Sequence, residues 1–310
     1  MDTSIILPIF GNAIAFSVII TNGFAAVVMF RYRKEFFKFI SITYLFQQSI
    51  CDVCFGVTYM LSPVNFKLLG YDIPTLDADN FVHIYIICRG WIIGHVSFFF
   101  WVTSVENMAL LTLERYLKIT RPLWYKQHVT DKMVVYSLAV PWIISLTYLI
   151  LFGIYLGIIN EDGVCYYGYE NETMYMIIMA AEFITDFCLP IFLVIFCYIK
   201  IVRTIRNRIE PSQPGNAKGG VSKVAVKGKE AEKNAVWMML SVSVVFFVSF
   251  GIMWIVAILL SVVNGDDSNY DTNFIIAMTG MMINSAINPF IYIAKYKDFR
   301  KYSKLMIGCK

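Results

Sequence analysis

Long stretches without a single charged side chain alternate along this chain with short segments crowded with charge. Thr3–Phe30 carries none, Phe39–Phe66 only Asp52, Val82–Leu113 only Arg89 and Glu106, and Met133–Ile159 none. Met174–Tyr198 carries Glu182 and Asp186, while Ala235–Val263 and Asn273–Ala294 carry none. About 20 mostly apolar residues cross a bilayer as a helix, so each stretch is long enough to span with some tilt. Helices are the form that length requires. Backbone polar groups in lipid must be paired within their own segment or in a closed barrel, and barrel strands run only about 10 residues with alternating polarity. The pattern predicts seven spans, at about 5–30, 39–64, 82–113, 133–158, 174–199, 235–263 and 273–294.

Composition removes the alternatives. Apolar residues make up 58% of the 310 and charged residues 15%, against about 45–50% and about 25% in soluble domains. A soluble protein so apolar would expose large greasy patches, and disorder does not suit a chain this rich in aromatics. Charge then orients the bundle. With the amino terminus outside, every one of the 26 basic residues except Lys67 and Arg89 falls on an inner segment, and the outer segments collect half of the 22 acids. That is the positive-inside distribution. The expected architecture is an all-α integral membrane protein, a seven-transmembrane helix bundle with its N-terminus outside, in the plasma membrane. Residues 206–230, with Pro211, Pro214, Gly215, Gly219, Gly220 and Gly228 among spaced lysines, read as a flexible basic third inner loop beside anionic lipid.

Some residues are not explained by lipid. An acid at the centre of a span costs roughly 2.5–3.5 kcal/mol on insertion scales, so Asp52 must face the bundle and find partners. Asn22 and Asn288 bring amides into apolar runs and need the same. In Asn288-Pro289-Phe290-Ile291-Tyr292 the proline removes a backbone donor and kinks the helix, and Pro190 does so in span five. Arg115 stands where span three meets the cytosol, inside Glu114-Arg115-Tyr116.

In this order the residues resemble the rhodopsin-like G-protein-coupled receptors over nearly the whole chain. Asn22 and Asp52 match the family's span-one asparagine and span-two aspartate. Glu114-Arg115-Tyr116 matches D/E-R-Y, and Trp142 the span-four tryptophan. Pro190 with Tyr198 matches the span-five pair. Asn288, Pro289 and Tyr292 match NPxxY, and Lys297-Asp298-Phe299-Arg300 opens an amphipathic eighth helix at about 296–307. There are departures. Span six reads Phe246-Phe247-Val248-Ser249-Phe250-Gly251-Ile252, with Phe250 in place of the toggle tryptophan and without the kinking proline. Cys88 also lies two residues further from Arg115 than the family's span-three cysteine does.

The resemblance implies roles, each beside a plainer reading. Asp52 with Ser104, Asn284, Ser285 and Asn288 is a sodium pocket, or else a hydrogen-bond network around a neutral acid. Arg115 is an activation switch held at rest by Glu114 and Glu232 and relayed through Tyr198, Phe250 and Asn288–Tyr292, or else one more positive-inside arginine. Cys88 and Cys165 are the two cysteines outside, where redox conditions favour a disulfide. Cys309 is a palmitoylation candidate and Asn171, in Asn171-Glu172-Thr173, a glycosylation candidate. Glu182 and Asp186, one turn apart, line the ligand cavity with Phe250, Ser97 and His95, or else face the outer headgroups.

Ser97 stands where amine receptors carry aspartate, and Met282 where opsins carry the retinal lysine. No retinal and no other cofactor is expected. The function implied is a cell-surface receptor that binds an extracellular peptide or small cationic agonist and activates a heterotrimeric G protein, with no enzymatic activity and no nucleic-acid partner. The rivals are a polytopic transporter or channel, which internal repeats would mark, and a receptor that binds without signalling.

Overall fold

The computed structural model describes residues 3–37, 40–62, 75–169, 171–209, 241, 244–245, 248, 251, 255 and 270–308. Glu232, Phe250, Cys309, the third inner loop from 210 onward and most of span six lie outside the described residues, and Glu182 and Asp186 are placed by their backbone alone. "Outer" and "inner" follow the charge distribution.

Five helices among the described residues are long and apolar enough to cross a membrane: Ile9–Arg31, Ile40–Met60, His95–Thr120, Lys132–Leu151 and Met176–Ile205. The helix Tyr270–Lys295 adds the seventh span of the sequence reading. The inward stripes have helical spacing. Ala15, Val18, Asn22, Ala25 and Met29 are buried on span one, whereas Phe16, Ile20, Val27 and Phe30 are exposed on its other faces. On span two Ser41, Leu45, Gln48, Asp52, Phe55 and Tyr59 are buried, and these steps of three and four residues keep one face toward the bundle. Span one packs on spans two and seven, span two on three, and span three on four and five. Gly56 allows the first of these contacts: a Cβ there would lie 2.9 Å from Ile19 and 3.1 Å from the Ala15 carbonyl, a close approach typical of small residues between membrane helices.

Span three departs from the continuous helix expected at 82–113. Val82–Ile92 is π-helical, and a separate α-helix runs from His95 to Thr120. Between them Gly94 has φ 86°, which a residue without Cβ adopts at no steric cost. A π-helix closes its hydrogen bonds at i→i+5 and fits more residues into each turn. That accommodates the two extra residues between Cys88 and Arg115. Span five has a π segment as well, Phe183–Cys188, between Glu172–Glu182 and Leu189–Ile209. Pro190 has no N–H to return to the carbonyl of residue 186, and the turn before it widens.

Span four also ends earlier than expected, at Tyr155 rather than 158. Leu156–Ile159 forms strand β1, antiparallel to β2, Cys165–Tyr169, with Ile158 opposite Tyr166 and Ile159 opposite Cys165. Gly157, at φ 102°, allows the irregular register between Leu156 and Ile158. The helical bundle therefore carries an outer β-hairpin that hydropathy did not predict.

At the inner side Pro122–His128 forms a short helix after span three. Helix eight runs Lys297–Ile307 and stops at Gly308, φ 78°. Arg300 donates to the Ile293 and Ala294 carbonyls at 3.0 and 2.7 Å, so a helix-eight cation caps the end of span seven. Phe299 is buried against Phe36 and Tyr292, and the half-buried Tyr302 packs on Tyr32 and Phe36.

Candidate functional site

Among the described residues the bundle holds two buried polar centres that bear on the expected signalling role. The first surrounds Asp52, which is fully buried. Ser104 of span three and Ser285 of span seven donate to its Oδ1 at 2.8 and 2.9 Å, and Asn288 Nδ2 donates to Oδ2 at 3.1 Å. One carboxylate thus joins three helices. Asn22 Nδ2 donates to the Ser285 carbonyl at 2.9 Å and brings in span one. The Oδ1 atoms of Asn284 and Asn288 are buried with no hydrogen-bond partner among the described residues. Asn284 precedes Asn288 by four residues and shares its helix face. A hard monovalent cation wants several oxygen ligands and a compensating charge. One carboxylate, two hydroxyls and two unengaged amide oxygens fit that requirement.

The second centre is at the inner end of span three. Glu114 is buried; Ser41 donates to its Oε2 at 2.7 Å and Tyr125 to its Oε1 at 2.6 Å. Arg115 Nε lies 3.5 Å from Glu114 Oε2, beyond good hydrogen-bonding range, and has no acceptor among the described residues. The carboxylate is therefore clasped by span two and by the Pro122–His128 helix, with the guanidinium beside it under a looser, electrostatic hold. Burial and the bond to Glu114 push the Tyr125 phenol above its ordinary 10.0, so it stays protonated and donating at neutral pH. Tyr116 packs against Phe196 of span five at 5.8 Å, and Tyr198, Pro289 and Tyr292 are buried in the same half of the bundle.

On the outer side Cys88 and Cys165 form a disulfide, Cα–Cα 5.5 Å, that ties β2 to the π-helical start of span three. Arg89 is buried beside it, donating Nε to the Gly157 carbonyl at 2.9 Å with its guanidinium 4.8 Å from the Tyr85 ring. His95 and, half a turn further in, Ser97 are buried. Glu182 ends the first helix of span five and Asp186 sits in its π segment. Asn171 is exposed and accepts the Met174 N–H at 3.0 Å, as the cap of span five. Trp142 packs on Phe99 and Phe100 at 5.8 and 6.3 Å.

Sequence reasoning missed several members of these centres. Gln48 donates to Ser104 and accepts from Asn107 Nδ2 at 2.9 Å; Asn107 Nδ2 also donates to the Tyr44 carbonyl at 2.8 Å, and Gln47 Nε2 reaches Asn107 Oδ1 and the Leu138 carbonyl at 3.2 Å each. The signal was present: three amides in apolar runs need partners as much as Asn22 and Asn288 do. Ser41 and Tyr125 gave no comparable signal, because nothing local marks them as partners of Glu114.

Comparison with known proteins agrees with this geometry. Residues 21–292 match the family described as "7 transmembrane receptor (rhodopsin family)". Galanin receptor type 1 of Rattus norvegicus is 22% identical over 321 residues, covering 100% of this chain and 84% of that protein. The histamine H2 receptor of Rattus norvegicus is 26% identical over 245 residues, 74% of this chain and 65% of that protein. Squid rhodopsin superposes with a TM-score of 0.72 over 98% of this chain and 85% of its own, at 17% identity, which speaks for the fold. The chain belongs to the rhodopsin family of seven-transmembrane receptors, and is a G-protein-coupled receptor of the plasma membrane, a signalling protein and not an enzyme.

Proposed function

We propose that this receptor answers an extracellular peptide or small cationic agonist, and that the agonist's signal ends in the release of Arg115 to a heterotrimeric G protein. The observation that carries the reading is the clasp on Glu114. Two hydroxyl donors hold that carboxylate, while Arg115 sits beside it without a hydrogen bond to it. A guanidinium held in this way can leave toward a new partner at little cost. Agonist acts only through its higher affinity for the released state. The polar centre around Asp52 joins spans two, three and seven, and supports a route from the outer cavity to Asn288–Tyr292 and the inner ends. In that centre Asp52, Ser104, Asn284, Ser285 and Asn288 would hold a sodium ion. When bound it supplies the positive charge the buried carboxylate lacks and favours the resting packing. On the inner face Leu123, 78% exposed on the Pro122–His128 helix, and Trp124 offer an apolar contact to the G protein among basic residues.

The relatives include peptide and amine receptors. Ser97 in place of the amine receptors' aspartate favours a peptide, or a cation bound elsewhere. Glu182 and Asp186, one turn apart along span five, would receive it. A G-protein activation screen of the purified receptor against peptide and amine libraries tests the reading. A basic agonist should lose at least tenfold in potency against Glu182→Gln or Asp186→Asn; equal potency on both variants removes the acids from the ligand site.

The clasp gives a second expectation. Tyr125→Phe deletes one hydrogen bond to a carboxylate. Such bonds contribute about 1.5–3 kcal/mol when buried, and about 1 kcal/mol is a fair value for a half-buried tyrosine. With that donor gone the carboxylate is left more fully to Arg115, so agonist-independent nucleotide exchange should fall about fivefold at unchanged surface level. Exchange at the wild-type rate would mean that the Tyr125–Glu114 contact does not loosen the hold on Arg115.

A further inference from the structure

We infer that Gln48 is a specificity-determining residue for the Asp52 centre: its amide holds the Ser104 hydroxyl in the orientation that serves the carboxylate and so weakens monovalent-cation binding there. The inference rests on the cation reading of that centre and adds the residue that tunes it. The orientation of Gln48 is fixed by a chain of hydrogen bonds that begins at two backbone carbonyls, which can only accept. The Leu138 carbonyl requires an NH₂ from Gln47, and the same NH₂ serves Asn107 Oδ1. The other end of the Asn107 amide is therefore its donor, and it is shared between the Tyr44 carbonyl and Gln48 Oε1. That leaves Gln48 Nε2 facing Ser104, to which it donates. The Ser104 oxygen accepts from Gln48 and its hydrogen goes to Asp52 Oδ1 at 2.8 Å. Asp52 and Asn107 are fully buried, and Gln48 and Ser104 nearly so, so water does not scramble the order.

A hydroxyl has one hydrogen and two lone pairs. To ligate a cation beside Asp52, Ser104 must turn a lone pair to the ion and its hydrogen away from it. With Gln48 in place, one lone pair is already taken and the direction toward the Gln48 amide is closed to the hydrogen, because a donor stands there. The amide also sets partial positive charge next to the group the cation would approach. An apolar side chain at residue 48 takes away both effects.

The test follows thermal unfolding of the purified receptor while NaCl replaces choline chloride at constant ionic strength, since an ion that binds the folded state raises the midpoint with its concentration. Gln48→Leu, and the longer Gln48→Met as a second apolar variant closer in size, should reach half of their sodium-dependent rise at about five- to tenfold lower NaCl than the parent receptor, the worth of one hydrogen bond. Asp52→Asn should lose the rise. If the Gln48 variants share the parent's midpoint concentration while Asp52→Asn loses the response, the role of Gln48 is overturned and the cation site stands. If Asp52→Asn responds to sodium as the parent does, the cation site itself is overturned.

Discussion

Arg115→Ala is expected to abolish agonist-driven guanine-nucleotide exchange while leaving the amount of receptor at the cell surface unchanged. The second half of this expectation follows from the geometry as directly as the first. Truncating one partner of a buried ion pair is usually harmful because the other charge is left without compensation. Here Glu114 keeps a donor on each oxygen, Ser41 at 2.7 Å and Tyr125 at 2.6 Å, after the guanidinium is gone. Arg115 Nε is 3.5 Å from the carboxylate, so Glu114 loses no hydrogen bond with the guanidinium. Folding should survive, and the loss should fall on signalling alone. The measurement is exchange on isolated membranes against surface level, read by an antibody to a tag at the amino end. Normal exchange would falsify the switch. A parallel loss of surface receptor would make Arg115 a structural residue. Glu114→Gln is the converse experiment: it removes the charge that faces Arg115, and basal exchange should rise.

The contrast between these two acids shows what the sequence could convey. Asp52 was legible because one carboxylate in an apolar run is a solvation problem that must have a local answer. Glu114 was legible as a motif, but its partners were not. Ser41 lies 73 residues away and Tyr125 lies 11 residues away across a turn, and no periodicity connects them. The spans themselves were readable because hydropathy reports residence in lipid. For the same reason it could not distinguish helix types. Val82–Ile92 is as apolar wound as a π-helix as it would be in α form, and the only visible signs were Gly90, Gly94 and the two-residue offset of Cys88. Leu156–Ile159 continues the apolar run of span four without a break, so the start of the hairpin was hidden, and Gly157 was its one local mark. Gln47, Gln48 and Asn107 were legible in principle. What singled out the amides of Asn22 and Asn288 applies to these three as well, since a buried neutral amide costs less than a charge but needs partners in the same way.

Breaking the outer disulfide should have the largest effect on stability. Cys88 and Cys165 are separated by 77 residues, and in the chain-entropy account closing a loop of that size contributes about 4.5 kcal/mol. For this bundle that is an upper bound, because helices that remain in the bilayer already restrict the unfolded chain. The local consequences point the same way. Cys165 opens β2 opposite Ile159, and Cys88 is next to Arg89, whose Nε bond to the Gly157 carbonyl also ties the hairpin to span three. Without the disulfide the hairpin keeps that polar contact and a few buried side chains around Leu76 and Ile92. Cys165→Ser should therefore lower the thermal midpoint of the purified receptor by several degrees and reduce its surface level severalfold, with weaker agonist binding because the outer mouth of the cavity is no longer pinned. Cys88→Ser should match it, and the double variant should be no worse than either, since both remove the same bond and residues in contact are not additive. Reductant should bring the parent receptor to the midpoint of the variants. If instead the double variant unfolds at the parent's temperature, the hairpin is held by Arg89 and packing alone, and the disulfide contributes nothing to the stability of the outer face.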